Sequence, residues 1–196
     1  MDSRAQGKTV DAGDSLSFEM MADDEAALLD AMHIDSAYVI GWSDGGINAL
    51  CLAVRHPEKV IKLASTGANL WPDSTGVLPE LWKMEKAKVD TTNPSKFKTA
   101  QEKNDWKIFW LDWMQPNIPL SDLQKIKCPS LIIGGDHDVI PVPHTVQIFQ
   151  GIPKAYLWIV PNSGHPTLIE HAAEFNKKVD DFFETPFKKR NGMDFF

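Results

Sequence analysis

The sequence predicts an α/β fold built on a parallel sheet, and three observations carry that expectation. Segments 37–41 (AYVIG), 59–66 (KVIKLAST), 130–135 (SLIIGG) and 155–160 (AYLWIV) have the length and apolar character of parallel strands. Helical patterns lie between them, giving the strand–helix–strand alternation of α/β proteins. A run of turn residues interrupts that alternation between Gly67 and Lys127, and it holds five of the seven tryptophans.

Each element follows from local chemistry. Residues 15–33 read as an amphipathic helix, with Leu16, Met20, Ala27, Leu28 and Met32 expected on its inner face and Ser15 or Ser17 as its cap. Segment 37–41 reads as a buried strand. The small residues of 45–56 (GGINALCLAVRH) form a helix that Pro57 ends, and 59–66 is the next strand. Within 67–127, residues such as Asn69, Pro72, Gly76, Pro94 and Pro116 punctuate two helical runs, which reads as a helical insertion. Trp106, Phe109, Trp110 and Trp113 share one face of the second run, which is expected to pack the insertion onto the core with its inner edge over the site. The alternation then resumes with 130–135, a helix at 142–150, the strand 155–160 and a last helix over 167–184. The expected division is 1–66 with 128–196 as the core and 67–127 as the insertion.

Composition narrows the function classes. A chain of 196 residues, 43% hydrophobic and 24% charged, is long enough for one domain with a real core. Its net charge of −7 argues against a nucleic-acid binder. No uncharged apolar run reaches the roughly 20 residues of a membrane span, and the start MDSRAQGKTVDAGD lacks a signal-peptide pattern. Cys51 and Cys128 sit in apolar segments and read as buried free thiols in a reducing compartment. The expectation is a cytoplasmic protein with no membrane contact, metal or cofactor.

The chemistry concentrates in three turns. Gly41-Trp42-Ser43-Asp44-Gly45 fits G-x-S-x-G, with a strand running in and a helix running out, as a nucleophile elbow requires. Small neighbours, with Gly41 and Gly45 expected to give the room and Gly46 to add more, let such a turn lift a serine hydroxyl to a helix N-terminus, where negative charge is favoured. A serine needs a base, and the base an orienting acid, each after a later strand. Asp136-His137-Asp138 follows 130–135, and Asn162-Ser163-Gly164-His165 follows 155–160. The acid is thus Asp136 or Asp138, and His165 is the base, with His137 the rival in the acid's own turn. His33, His56, His144 and His171 lie on helices or near their ends, where capping or solvated roles are expected. The Asp44 backbone N–H follows the nucleophile and is expected to donate to the oxyanion.

On these residues the chain resembles the α/β-hydrolase superfamily from its start to about Glu184, and GWSDGGI followed by TGAN is most similar to the biphenyl hydrolase-like proteins, the valacyclovir hydrolase group. The resemblance implies cofactor-free cleavage of small carboxylic esters through an acyl-enzyme. Its G-(D/E)-x-D pattern falls on Gly135-Asp136-His137-Asp138 and gives the acid role to Asp138, and its G-H motif falls on Gly164-His165. It also implies that the Asp44 carboxylate meets the α-ammonium of aminoacyl esters. Trp42 and Trp110 are expected to line the substrate pocket. Carbon–carbon bond hydrolases and iminopeptidases share the triad, and a non-catalytic remnant acting as an interaction domain is the alternative of another class. A dehalogenase is disfavoured, because its nucleophile is an aspartate.

Residues 2–9 (DSRAQGKT) resemble the family's D-x-R-G-x-G-x-S loop, with Ala5 and Thr9 replacing a glycine and the serine. That loop ordinarily follows the fourth strand, so the expectation is a truncated α/β-hydrolase fold, a mostly parallel sheet flanked by helices with a helical cap. The early strands, and the H-G-type loop that supplies a second oxyanion donor, fall outside it. Segment 37–41 then becomes a sheet edge without proline or charge, through which a homo-oligomer is expected.

Overall fold

A computed structural model describes residues 2–9, 11, 13 and 15–190. Four strands, β1 (Ala37–Trp42), β2 (Val60–Thr66), β3 (Ser130–Gly135) and β4 (Ala155–Val160), form one sheet in the order β1-β2-β3-β4. Every pairing is parallel, so each connection must cross over the sheet. The crossover helices α2 (Asp44–Arg55) and α5 (Val142–Gly151) join α1 (Phe18–Ala31), which precedes β1, in one apolar cluster, and α7 (Ala172–Glu184), which follows β4, contributes to another. Alternation along β2 and β3 serves both: Leu63 and Ile132 enter the first cluster, while Ala64 and Ile133 enter the second with Phe175, Val179 and Phe182. Both cysteines are buried and free, as expected.

Three elements differ from the sequence reading. The start of α1 is capped by Ser17, whose hydroxyl accepts the Met20 N–H at 3.1 Å, but the helix buries Phe18, Met21, Ala22 and Ala26 instead of the expected stripe. Leu16 is buried, whereas Ala27 and Met32 face solvent. Glu25 is the cause: it turns inward to accept a hydrogen bond from Asn48 of α2, so an acidic residue occupies the inner face. β1 is not a buried strand. As an outer strand it leaves Tyr38 53% and Ile40 55% exposed. The last helix is two, α6 (Thr167–Glu170) and α7, broken at His171, whose Nε2–H donates to the Asn162 carbonyl at 3.2 Å.

Between β2 and β3 lie α3 (Pro79–Thr91) and α4 (Ala100–Met114). A reciprocal capping box between Thr99 and Glu102 starts α4. Leu111 of α4 packs into the main core, together with the flanking Leu70 and Ile118. The aromatic face expected to pack against the core joins the two helices instead: Trp113 stacks on Trp82 at 5.8 Å, and the Lys88 ammonium sits 3.8 Å from the Phe109 ring centre. Leu111 and Ile108 are the residues that face inward, because they lie just off the aromatic stripe.

The segment is tied to the sheet at its roots. Leu78 N–H donates to the Val139 carbonyl at 2.8 Å, and Leu70 N–H donates to His144 Nε2 at 2.9 Å. His144 is therefore neither a cap nor solvated. It is 2% exposed, with Nδ1 unpartnered, and burial pushes its pKa down to about 4.

Candidate active site

β1 delivers Ser43 into a sharp turn before α2. Ser43 adopts φ 56°, ψ −122°, a left-handed conformation that a serine rarely takes, and its N–H donates to the Thr66 carbonyl at 3.0 Å. The turn closes because Gly41 and Gly46 lack side chains. A Cβ on Gly41 would lie 2.1 Å from the Gly45 carbonyl oxygen, and one on Gly46 would meet Ser65 Oγ at 2.9 Å. Gly45, expected to supply room, does not: a Cβ there meets nothing within 4 Å.

The turns after β3 and β4 bring two further side chains to this point. His165 Nε2 lies 2.9 Å from Ser43 Oγ, and His165 Nδ1 lies 2.7 Å from Asp138 Oδ1. Asp138 is 4% exposed and also accepts the Ile140 N–H at 3.0 Å, which fixes its carboxylate. Gly67, at φ +63°, lies beneath the imidazole, where a Cβ would come 2.8 Å from His165 Cε1. Asp136 serves the other side of the turn. It accepts the Ser163 N–H at 3.1 Å, and backbone donors hold its carboxyl below the usual range. His137 is exposed and reaches only Asp136, at 3.9 Å. The geometry thus joins Ser43, His165 and Asp138 and leaves Asp136 and His137 outside.

The remaining candidates occupy three different places. Asp44 opens α2, so its N–H lacks an intrahelical acceptor and points from the helix N-terminus beside Ser43. Its carboxyl lies near that of Asp112 of α4, and burial raises its pKa. Trp42 is 37% exposed, and its Nε1–H donates to the His165 carbonyl at 3.0 Å. Trp110 lines an open cavity of about 1090 Å³ between α4 and the N-terminal segment, with Leu16, Lys103, Trp106 and Met114 among its walls. Ser43, Asp138 and His165 are not in that wall.

Sequence reasoning missed Asp112. Burial, then the charges of Asp44 and Glu85, push its carboxyl up to about 7, against the pull of Lys88. Its Oδ1 is buried without a hydrogen-bond partner. Burial and the nearby Asp44 charge also raise Glu85, so α3 and α4 bring two carboxyls to Asp44. Three residues from Lys88 and on the aromatic helix, neither acid stands out in sequence. Only the packing of α3 and α4 over α2 brings them together.

Serine hydrolase BPHL of Homo sapiens is 29% identical over 184 residues, covering 85% of this chain and 61% of that protein. 2-Hydroxymuconate semialdehyde hydrolase of Pseudomonas putida is 27% identical over 182 residues, covering 79% and 65%. The chain thus spans about three fifths of the length of these relatives. Among solved structures, the enol-lactonase of Burkholderia xenovorans LB400 superposes with a TM-score of 0.71 at 22% identity, covering 94% of this chain and 79% of that one. An alpha/beta fold family hydrolase of Bacillus anthracis gives 0.75 at 20% identity, covering 92% and 80%. A family model of the alpha/beta hydrolase fold matches residues 1–110, more than half the sequence and inclusive of the whole Ser43 elbow, and the chain belongs to that family.

Proposed function

We propose that the chain is a serine hydrolase that cleaves small carboxylic esters, with α-aminoacyl esters preferred. The observation that carries this reading is the continuous line of hydrogen bonds from Ser43 Oγ through the His165 imidazole to Asp138. Ser43 Oγ attacks the ester carbonyl while His165 Nε2 takes its proton, and Asp138 holds Nδ1–H and steadies the imidazolium. The Asp44 N–H donates to the oxyanion. His165 then protonates the departing alcohol. A water molecule, deprotonated by the same Nε2, attacks the acyl-enzyme, and the acid leaves as Ser43 regains its proton.

The carboxyl cluster supports the choice of acyl group. An α-ammonium on the substrate would meet the carboxyls of Asp44 and Asp112, whose nearby cations are His165 for Asp44 and the exposed Lys88 for Asp112. An anionic substrate, such as the dienoate in the name of a Burkholderia cepacia relative, would meet that cluster with like charge. Carbon–carbon bond hydrolysis of such acids is therefore the weaker reading.

Hydrolysis of p-nitrophenyl acetate and of valine p-nitrophenyl ester, with Ser43→Ala alongside, tests the proposal. The expected result is turnover that falls by roughly 10⁴-fold or more in Ser43→Ala, with the valine ester preferred. Equal rates from the two proteins would leave the three side chains as a relic in an interaction domain.

A further inference from the structure

We infer that Trp42 is a positioning residue for His165, tying the nucleophile's strand to the loop of the base through its indole N–H. The inference rests on the hydrolase reading above and replaces the expected role of Trp42 as a pocket wall. The indole donates to the backbone carbonyl of His165 at 3.0 Å, and the two rings lie 5.6 Å apart, tilted by 46°.

The other anchors of that loop come from its own segment and from the turn after β3, where Asp138 holds His165 Nδ1 at 2.7 Å. Asp136 accepts the Ser163 N–H, Glu170 accepts the Gly164 N–H at 2.8 Å, and His171 donates to the Asn162 carbonyl. These bonds fix residues 162–164 but none holds His165 against β1. Two contacts reach across to β1 and its elbow: the imidazole–Ser43 bond and the Trp42 bond. The first cannot hold the base throughout a reaction cycle. Once Ser43 Oγ carries the acyl group it is no longer a hydroxyl donor to Nε2, yet His165 must stay in place to take a proton from water. The Trp42 bond uses no reacting atom, so it persists in free enzyme and acyl-enzyme alike. A carbonyl fixed at position 165 fixes the Cα from which the imidazole projects. Small losses of alignment at a reacting centre are costly in rate, while ground-state binding is untouched.

Two measurements on the full chain test this. In the wild type, NMR exchange of the Trp42 Nε1–H is expected to be much slower than that of free tryptophan, although the residue is over a third exposed. Exchange at the free-indole rate would overturn the inference without any variant or substrate. Trp42→Phe keeps a ring and removes the donor. Its His165 ring signals are expected to shift and broaden, and kcat for p-nitrophenyl esters is expected to fall roughly tenfold, with KM changed less than about twofold. Unchanged ring signals in a folded Trp42→Phe, or a loss confined to KM, would also overturn it. Absence of Ser43-dependent turnover in the wild type defeats the hydrolase reading instead, and the two NMR readouts still decide the role of Trp42.

Discussion

Replacing Asp112 by Asn acts on the carboxyl cluster without touching Ser43, His165 or Asp138. Asp112 titrates at about 7 in the folded chain against 3.8 for an ordinary aspartate, first because it is buried and then because it faces Asp44 and Glu85. A raised carboxyl pKa means that the folded state binds the proton more tightly than the unfolded one. Its burden on stability is therefore absent below pH 3.8, grows as the pH rises to about 7 and is constant above that. Three units at 1.36 kcal/mol each give about 4 kcal/mol in all, of which about 2–3 kcal/mol develops between pH 5 and 7. Residual contact with water reduces this towards about 2 kcal/mol. An asparagine never ionises, so it removes the pH-dependent part. For a domain of this length that corresponds to roughly 4–8 °C in melting temperature. Thermal unfolding of both proteins at pH 5 and pH 8, followed by circular dichroism, reads it. The advantage of Asp112→Asn over wild type is expected to widen by that amount at pH 8. An equal offset at both pH values would refute the buried, like-charged setting assigned to the Asp112 carboxyl.

Other perturbations follow from the same geometry. His144 is held near pKa 4 against 6.5 for an ordinary histidine, so its folded neutral form supplies stability that is fully present above pH 6.5 and is lost as pH falls towards 4. The loss is about 3 kcal/mol. Urea midpoints over that window should fall less steeply in His144→Gln, and parallel slopes would count against the assignment. Gly41→Ala sets a methyl 2.1 Å from a backbone oxygen and should cost about 3 kcal/mol or more, whereas Gly45→Ala meets open space and should gain about 0.5–1 kcal/mol as a better helix former. Comparable melting temperatures for the two variants would contradict the stated packing of the elbow. The outer edge of β1, with Tyr38 and Ile40 exposed beside it, should pair with a second copy of the chain. Sedimentation showing only monomer at micromolar concentration would rule that out.

The fold was legible wherever a residue's local role and its tertiary role coincide. SLIIGG is apolar throughout because β3 has neighbours on both edges and clusters on both faces, and all six residues are buried. AYVIG has the same apolar look, yet Tyr38 and Ile40 are exposed, because apolarity reports what a strand would bury and not whether something covers it. The inner face of α1 was misplaced for the converse reason. Glu25 is polar by type, but its carboxylate is satisfied by Asn48, and a paired polar group can occupy an inner face that a periodicity count assigns to apolar residues. Trp106, Phe109, Trp110 and Trp113 were read as a core face because they are aromatic and periodic. Trp113 and Phe109 meet Trp82 and Lys88 of the neighbouring helix, while Trp106 packs on Trp110 and Phe97, and periodicity alone does not say which neighbour a face meets.

The candidate site divides along the same line. Ser43 and His165 are legible because each sits in a turn whose chemistry is written within five residues, at the C-terminal end of a strand where a parallel sheet gathers such turns, whereas Asp136 and Asp138 share one turn and the family resemblance decides between them. Asp112 is not legible, because it has no local signature: it sits mid-helix beside a tryptophan and acts only through the approach of α4 to Asp44. The two kinds of residue do different work. Under the proposed hydrolysis the turns would set the bond that is broken, and the sheet places them with little freedom. The residues of α3 and α4 near Asp44 would then set which acyl group is admitted, on helices whose start is tied by the Leu78 N–H to the Val139 carbonyl. Substrate choice should therefore follow residues on α3 and α4 while the triad stays as it is. Asp112→Asn is then expected to lower the preference for the valine ester over the acetate while leaving acetate turnover within about twofold, since a neutral acyl group makes no use of the second charge. Equal loss with both esters would assign Asp112 to the chemistry and not to the choice of substrate.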